Sequence, residues 1–441
     1  MSRFLSAGIV AIAAISLAAC SETPVAPTKE MSVPNLALAK MSGTDDVEQM
    51  VPGEVLVKFK DGIDATAKAH GKRLGLLKKG YGDAFVILAS GKGNENAIVN
   101  SLKNDKDVEW VEPNYLRQPD AIKPQLWAFY NKGGLNMMYT SGGTGYIPAS
   151  YASTLDADED NTEGYAAGGA DVVIGSIDTG VDLTHSEFTG RLINGTDWIN
   201  GGTPQDEDGH GTHTTGTMAG STVGIAGVSG AAPHVKVYVQ RVCGPSGCPT
   251  AAIINAINAA AAYIDANGHH LVAVNMSLGG SSESKGEKTA IQNATNQGVL
   301  VIASAGNSGA GKVACPACDA NAISVLATNW KDAKASYSQY GTGLDIGAPG
   351  GECYSNTTPE GCIYSSYLGG GYEWLQGTSM AAPQVTGTAG VVASVTGLRG
   401  SALRARILAT TDKPSGLTKY KVGRLNTYRA VKNANCSGAS C

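Results

Sequence analysis

Five runs of apolar, mostly β-branched residues constrain this chain more than any other feature: Val172–Ile177, Val235–Gln240, Leu271–Met276, Val299–Ser304 and Ala322–Ala327. Near-continuous apolar runs mark strands buried on both faces, which is the signature of parallel sheets. Helical stretches alternate with them, at Thr250–Asp265, Lys285–Gln297 and Ser379–Val395. Alternation of this kind predicts a parallel sheet with helices on both sides, a three-layer α/β domain. In such sheets chemistry gathers outside the carboxyl ends of the strands, so residues that leave these runs are the ones to read for function.

A second, smaller unit precedes this one. Glu54–Lys60 alternates as a strand, Asp64–Arg73 suits a helix, Asp83–Ala89 a strand, Glu95–Asn104 a helix and Val108–Glu112 a closing strand. That β-α-β-α-β order, with room for another strand, predicts a small α+β ferredoxin-like domain. The expected organisation is a leader over 1–20, a polar linker over 21–50, the small domain over 51–118 and the large domain over 119–441. The charge divides with it. Residues 51–118 carry 11 Lys and Arg against 9 Asp and Glu, whereas residues 119–441 carry 19 against 24. Opposite signs suit two parts that dock on each other. No basic block or basic–aromatic interleaving points to nucleic acid.

The first residues read as an export signal. A positive start at Arg3 is followed by an apolar run from Ala7 to Ala19, which is signal-peptide length and short of the ~20 residues a membrane span needs. It ends in Leu17-Ala18-Ala19-Cys20. This resembles a bacterial lipobox, in which Cys20 is lipidated; an ordinary signal cleaved nearby is the alternative. The eight other cysteines fall into neighbouring pairs, Cys243/Cys248, Cys315/Cys318, Cys353/Cys362 and Cys436/Cys441. Neighbour pairing is the simplest connectivity, and an oxidising compartment makes disulfides the expectation. Glycine, 58 of 441 residues, runs at nearly twice the usual ~7% and fits a chain rich in tight turns.

Four motifs sit at ends of the predicted elements. Asp178-Thr179-Gly180 leaves the first strand; alone it is as readily a turn as a catalytic carboxylate. Asp208-Gly209-His210-Gly211-Thr212-His213 opens a helix, and its histidines could serve as base, metal ligand or structural group. Ala305-Gly306-Asn307 follows the strand Val299–Ser304, where an asparagine amide can point at a developing oxyanion. Gly377-Thr378-Ser379-Met380-Ala381-Ala382-Pro383 opens a long apolar helix. A serine there is usually an N-cap, or else a nucleophile at the positive end of the helix dipole.

Taken together, in the order Asp, His, Asn, Ser, these motifs resemble those of the subtilisin-like serine proteases, and in particular the proteinase K and thermophilic-subtilase groups. Asn275-Met276-Ser277-Leu278-Gly279-Gly280 resembles the family's substrate-binding strand. The resemblance covers about residues 120–430. It implies a serine endopeptidase with Asp178, His210 and Ser379 as triad, Asn307 as oxyanion donor and no cofactor for catalysis. It also implies that Ser277, Leu278 and Gly279 pair with an extended polypeptide substrate, while Gly279, Ala305 and Gly306 line the pocket before the scissile bond. The Cys315–Cys318 loop, with Cys315-Pro316 aligned to a cis bond of the family, is implied as that pocket's far rim. Gln384 departs from the family's usual histidine; altered helix packing with intact catalysis is expected.

By the same resemblance, residues 53–115 are a propeptide that templates folding and inhibits, with a cut expected between Tyr115 and Pro124. The lipid would then lie on the propeptide side, so that self-cleavage releases a monomeric, secreted enzyme. Structural Ca²⁺ is implied at Asp345 with the carbonyls of Ala320 and Ala322, one carboxylate plus carbonyls being acceptable calcium chemistry; a capped turn is the alternative. Thr222–Gly227 is short where the family carries a further calcium loop. Asp156, Asp158 and Asp160 mimic half of an EF-hand loop but lack its Gly and Glu, so a solvated acidic loop is the expectation there. The rival from a different class is a catalytically dead subtilase fold that binds peptides.

Overall fold

The computed structural model describes residues 50–60, 77–81, 84–88, 95–119, 131–132, 135–136, 138–140, 143–145, 169–221, 228, 232, 234–329, 331–353 and 361–433. All belong to one compact unit that runs from Val47 to the end of the chain. The expected helix Asp64–Arg73, the acidic loop at Asp156–Asp160, the Thr222–Gly227 segment, the leader with Cys20, and Cys436/Cys441 lie outside the described residues.

The N-terminal part is an antiparallel sheet of β1 (Met50–Phe59), β2 (Leu77–Tyr81), β3 (Ala84–Leu88) and β4 (Val108–Pro119), in the order β4-β1-β3-β2. Helix α1 (Glu95–Leu102) packs on it through Leu102, which is fully buried with Val55, Val57, Phe59, Val108 and Val111. Strand β4 is longer than its apolar run predicts. It continues past Glu112 to Pro119, because its far end leaves its own sheet and pairs with the large domain.

The large domain is built on seven parallel strands: β5 (Val172–Asp178), β6 (Leu192–Asp197), β7 (Val235–Arg241), β8 (Ala273–Met276), β9 (Leu300–Ser304), β10 (Ala322–Thr328) and β11 (Ile346–Pro349). Their order is β6-β7-β5-β8-β9-β10-β11. All seven residues of β5, and all of β8, β9, β10 and β11, are buried, as two-sided burial requires. One face is covered by α2 (His210–Ala219), α3 (Thr378–Thr396), α4 (Gly400–Ala409) and α5 (Thr427–Lys432). The other face carries α6 (Thr250–Ala262) and α7 (Lys285–Asn296). Leu56 and Trp110 of the N-terminal sheet join that second apolar cluster, so the small sheet sits on α6 and α7.

Three disulfides, Cys243–Cys248, Cys315–Cys318 and Cys353–Cys362, close short loops as neighbour pairing predicts. Cys315-Pro316 is cis.

Candidate active site

The carboxyl ends of β5 and β9 and the first turns of α2 and α3 converge. Asp178 is the last residue of β5, His210 the first of α2 and Ser379 the second of α3. All three are at most 2% exposed. Asp178 Oδ1 lies 2.7 Å from His210 Nδ1 and accepts the Thr179 N–H at 2.7 Å, while Thr214 Oγ1 donates to its Oδ2 at 3.2 Å. The imidazole is thus oriented with Nε2 away from the carboxylate. Burial alone would depress the His210 pKa, but Asp178, by charge and hydrogen bond, with Asp208 and Asp206 beyond it, outweighs burial and raises it above the ordinary value of 6.5.

The loop that delivers His210 is organised by Asp206. Its Oδ1 accepts from Asp208 N, Gly209 N and Thr179 Oγ1, and its Oδ2 from Thr212 N and Thr212 Oγ1. Burial raises the Asp206 carboxyl despite these bonds. A side chain on Gly211 would place its Cβ 2.1 Å from Gly180 O, so a glycine is required immediately after the histidine for α2 to approach β5. The second histidine of the motif plays a different part. His213 Nε2 faces the carbonyls of Ile363 and Glu373 at 3.1 and 3.2 Å, and burial with the nearby His210 holds its pKa down at about 3. It is neutral, and its Nε2 faces two backbone carbonyls of the neighbouring hairpin, the contacts of a structural group.

Ser379 is placed by a proline. Its carbonyl would bond the N–H four residues on, but that residue is Pro383, which has none. The Ser277 hydroxyl donates to Ser379 O instead, at 2.8 Å, and Asn275 Nδ2 donates to Ser277 Oγ at 2.9 Å. Ser379 Oγ in turn lies 3.3 Å from Ser277 O. Asn307, just after β9, is fixed through its carbonyl oxygen, which accepts from Thr378 N at 2.9 Å and Thr378 Oγ1 at 3.0 Å. Gly306 N donates to the same Thr378 hydroxyl at 3.1 Å. The Gly306 φ of +100° and a Cβ that would meet Gln339 Oε1 at 2.1 Å explain the glycine. Two buried polar atoms in this cluster, His210 Nε2 and Asn307 Nδ2, make no hydrogen bond among the described residues.

Beside them runs a ready-made strand partner. The two-residue strand β12 (Leu278–Gly279) pairs antiparallel with β4, Leu278 with Pro119 and Gly279 with Gln118. Just before that stretch, β13 (Cys248–Pro249) pairs antiparallel with the same strand, Cys248 with Arg117 and Pro249 with Leu116. Residues 116–119 therefore pair with two strands of the large domain. The Cys315–Cys318 loop borders this groove, with Gly280 and Cys315 exchanging both backbone hydrogen bonds. Ala305 is buried with its N–H on Val325 O. Two side chains of β4 hold the small sheet in place. Glu112 accepts from Ser284 Oγ at 2.5 Å, Lys285 N at 2.8 Å and Gly286 N at 3.3 Å, at the start of α7. Asn114 Oδ1 accepts Ala251 N at 3.1 Å, at the start of α6, and its Nδ2 donates to Glu54.

This disposition of motifs has relatives. The subtilase family model matches residues 169–430. The chain belongs to the subtilase family. A thermophilic serine proteinase of Bacillus sp. (strain AK1) is 34% identical over 391 residues, 86% of this chain and 88% of that one. Thermitase of Thermoactinomyces vulgaris is 39% identical over 269 residues, 60% of this chain and 90% of its own length. Among solved structures, fervidolysin from Fervidobacterium pennivorans, described as a keratinolytic enzyme related to subtilisin, superposes with a TM-score of 0.66 at 21% identity over 90% of this chain and 63% of that one. This last likeness speaks for the fold. As a subtilase, the chain is a serine-type endopeptidase.

The remaining expected residues lie apart from this cluster. Asp345 precedes β11, while Ala320 and Ala322 lie at the entry to β10. Asp345 and the Ala322 carbonyl are brought together, but by a third residue: Arg404 of α4 donates to both, at 2.9 Å each. Gln384 donates to Pro349 O at 2.7 Å, tying α3 to β11. Thr214, Thr378, Asp206 and Asn275 were not legible as positioning residues. Their signal was only adjacency to the motifs, and it takes the folded loop to show which way each hydroxyl or carboxylate points. No described helix is long and apolar enough to cross a membrane.

Proposed function

We propose that this subtilase is an exported endopeptidase that hydrolyses extended polypeptides through Asp178, His210 and Ser379, and that it is made as a zymogen whose residues 51–118 occupy the cleft until the chain cuts itself. The observation that carries the reading is the buried pair Asp178–His210 at 2.7 Å, with His210 Nε2 and Asn307 Nδ2 both without partners among the described residues beside Ser379. A buried donor or acceptor without a partner costs free energy. Two of them at one point are explained if a reacting group is to meet both.

In the reaction, Ser379 Oγ turns from the Ser277 carbonyl toward His210 Nε2, gives up its proton and attacks the peptide carbon. Asp178 holds Nδ1–H and stabilises the imidazolium. The developing oxyanion takes the Asn307 Nδ2–H and the Ser379 backbone N–H. His210 then protonates the leaving amine as the C–N bond breaks, and water, deprotonated by the same imidazole, hydrolyses the acyl-enzyme. Substrate adds as a strand to Ser277–Gly279. Main-chain pairing is sequence-tolerant, and small residues at Gly279, Ala305 and Gly306 leave an open pocket; broad specificity follows. Residues 116–119 already occupy the groove as such a strand, which supports inhibition by the chain's own N-terminal part. The eight cysteines beyond the leader and the lipobox-like Cys20 support export with a lipid on the precursor, so that the enzyme's first substrate is its own tether.

Ser379→Ala should abolish peptide hydrolysis, the corresponding loss in subtilisin being about 10⁶-fold. Asn307→Leu should leave a trace, about 10²–10³-fold down. Full activity in Ser379→Ala would end this assignment.

A further inference from the structure

The resemblance implies a divalent cation between Asp345 and the carbonyls of Ala320 and Ala322, and the donor set does not fit one. Calcium takes six to eight oxygens at about 2.3–2.6 Å, with lone pairs turned to the ion. Here Asp345 and the Ala322 carbonyl already accept hydrogen bonds from protein donors. Asp345 Oδ2 accepts from Ser324 N at 2.9 Å and lies 3.2 Å from Ser324 Oγ, whose one proton goes to Gly343 O at 2.5 Å. Asp345 Oδ1 accepts from Arg404 Nη2 at 2.9 Å, and Ala322 O from Arg404 Nη1 at 2.9 Å. One planar guanidinium thus bridges the carboxylate and the carbonyl that were to share the ion, with the fork geometry suited to two parallel acceptors. An ion bound to both oxygens would lie within roughly 5 Å of that guanidinium. The single carboxylate is already neutralised, so a divalent ion would bring two uncompensated charges. Among the described residues no group of three or more His, Cys, Asp or Glu stands ready to hold a metal.

We propose that Arg404 is a resident cation at this position, and that it holds the sheet edge where calcium is implied. The guanidinium ties α4 to the first residue of β10 and to the turn before β11. That turn is held further by Asp345 N on Ser324 Oγ at 2.9 Å. Arg404 and Asp345 are about a quarter exposed, at 26% and 22%, so the tie is reachable from solvent and open to test.

The test uses the full-length Ser379→Ala chain to prevent self-digestion, a choice that rests on the proposed function, while its readouts are stability and ion binding rather than activity. Thermal unfolding is recorded in excess EDTA and in millimolar Ca²⁺, with Tb³⁺ luminescence as an independent binding readout. With Arg404 present, Asp345→Asn should leave any response to Ca²⁺ and Tb³⁺ unchanged. Arg404→Ala should lower the Tm in EDTA by roughly 2–4 °C and gain a Ca²⁺-dependent recovery that the double variant with Asp345→Asn lacks. If Arg404→Ala fails to fold, Arg404→Gln gives the same comparison. Loss of a Ca²⁺ or Tb³⁺ response on Asp345→Asn with Arg404 intact would overturn the proposal. So would an Arg404 variant whose Tm is unchanged in EDTA, or one that gains no calcium response.

Discussion

Glu112 is the side chain through which docking of the N-terminal sheet can be measured. It is buried and accepts from Ser284 Oγ, Lys285 N and Gly286 N at the positive end of α7, where a carboxylate also meets the helix dipole. Glu112→Ala removes all three bonds. Hydrogen bonds to a charged group contribute about 1.5–3 kcal/mol each, but in the freed enzyme the α7 terminus returns to water and Ser284 still caps Glu287 N. A net loss near the value of one such bond, about 1.5–3 kcal/mol, corresponds to roughly 10–150-fold weaker inhibition. The assay is the Ki of residues 51–119, added in trans, against mature enzyme. The pH dependence supplies a second check. Burial, with the neighbouring Glu287, raises the docked Glu112 carboxyl above its ordinary value despite the bonds it accepts. Docking therefore takes up a proton. Through this group, inhibition is strongest below pH 4.5 and weakens as pH rises through the raised value, a slope absent from Glu112→Ala. A Ki within twofold of wild type for Glu112→Ala, or an acid-induced weakening that only the wild type shows, refutes the reasoning.

Other expectations follow from the same geometry. Thr378→Val deletes the hydroxyl that holds both Asn307 Oδ1 and Gly306 N; kcat should fall about tenfold, the equivalent of one ~1.4 kcal/mol interaction, with KM nearly unchanged. His210 must be neutral to accept a proton, and its pKa is raised chiefly by Asp178 against burial. The acidic limb of kcat/KM should accordingly lie above pH 6.5, and Asp178→Asn should remove that elevation along with most of the activity. The register of Gly279 with Gln118 and Leu278 with Pro119 leads toward Ser277, whose carbonyl lies 3.3 Å from Ser379 Oγ. Residue 120 is next along it, so intact-mass analysis of incubated precursor should show a new N-terminus at Ala121, and a terminus outside residues 120–124 would contradict the pairing.

Much of the fold was legible because two-sided burial writes itself into sequence as unbroken apolar runs, and each of the five runs became a strand of the large sheet. β6 and β11 were missed because neither carries such a run: β6 is an edge strand, only partly buried along most of its length, and β11 holds a glycine and a proline in four residues. The length of β4 was also missed, since Leu116–Pro119 is a strand only because β12 and β13 pair with it. At the site, Pro383 was visible four residues after Ser379, yet its consequence, a serine carbonyl freed for Ser277, needs the neighbouring loop in place. Arg404 was not visible beside Asp345 for the same reason. Asp345 and Ala322 were matched by position, whereas the arginine arrives from a helix some sixty residues further on.

The central claim is that Ser379 is the nucleophile, and active-site labelling addresses it most directly. A serine-directed fluorophosphonate, followed by peptide mass mapping of the processed enzyme, should place a single adduct on Ser379, with labelling and peptide hydrolysis both lost in Ser379→Ala. An adduct on another residue, or hydrolysis that survives Ser379→Ala, would contradict the account.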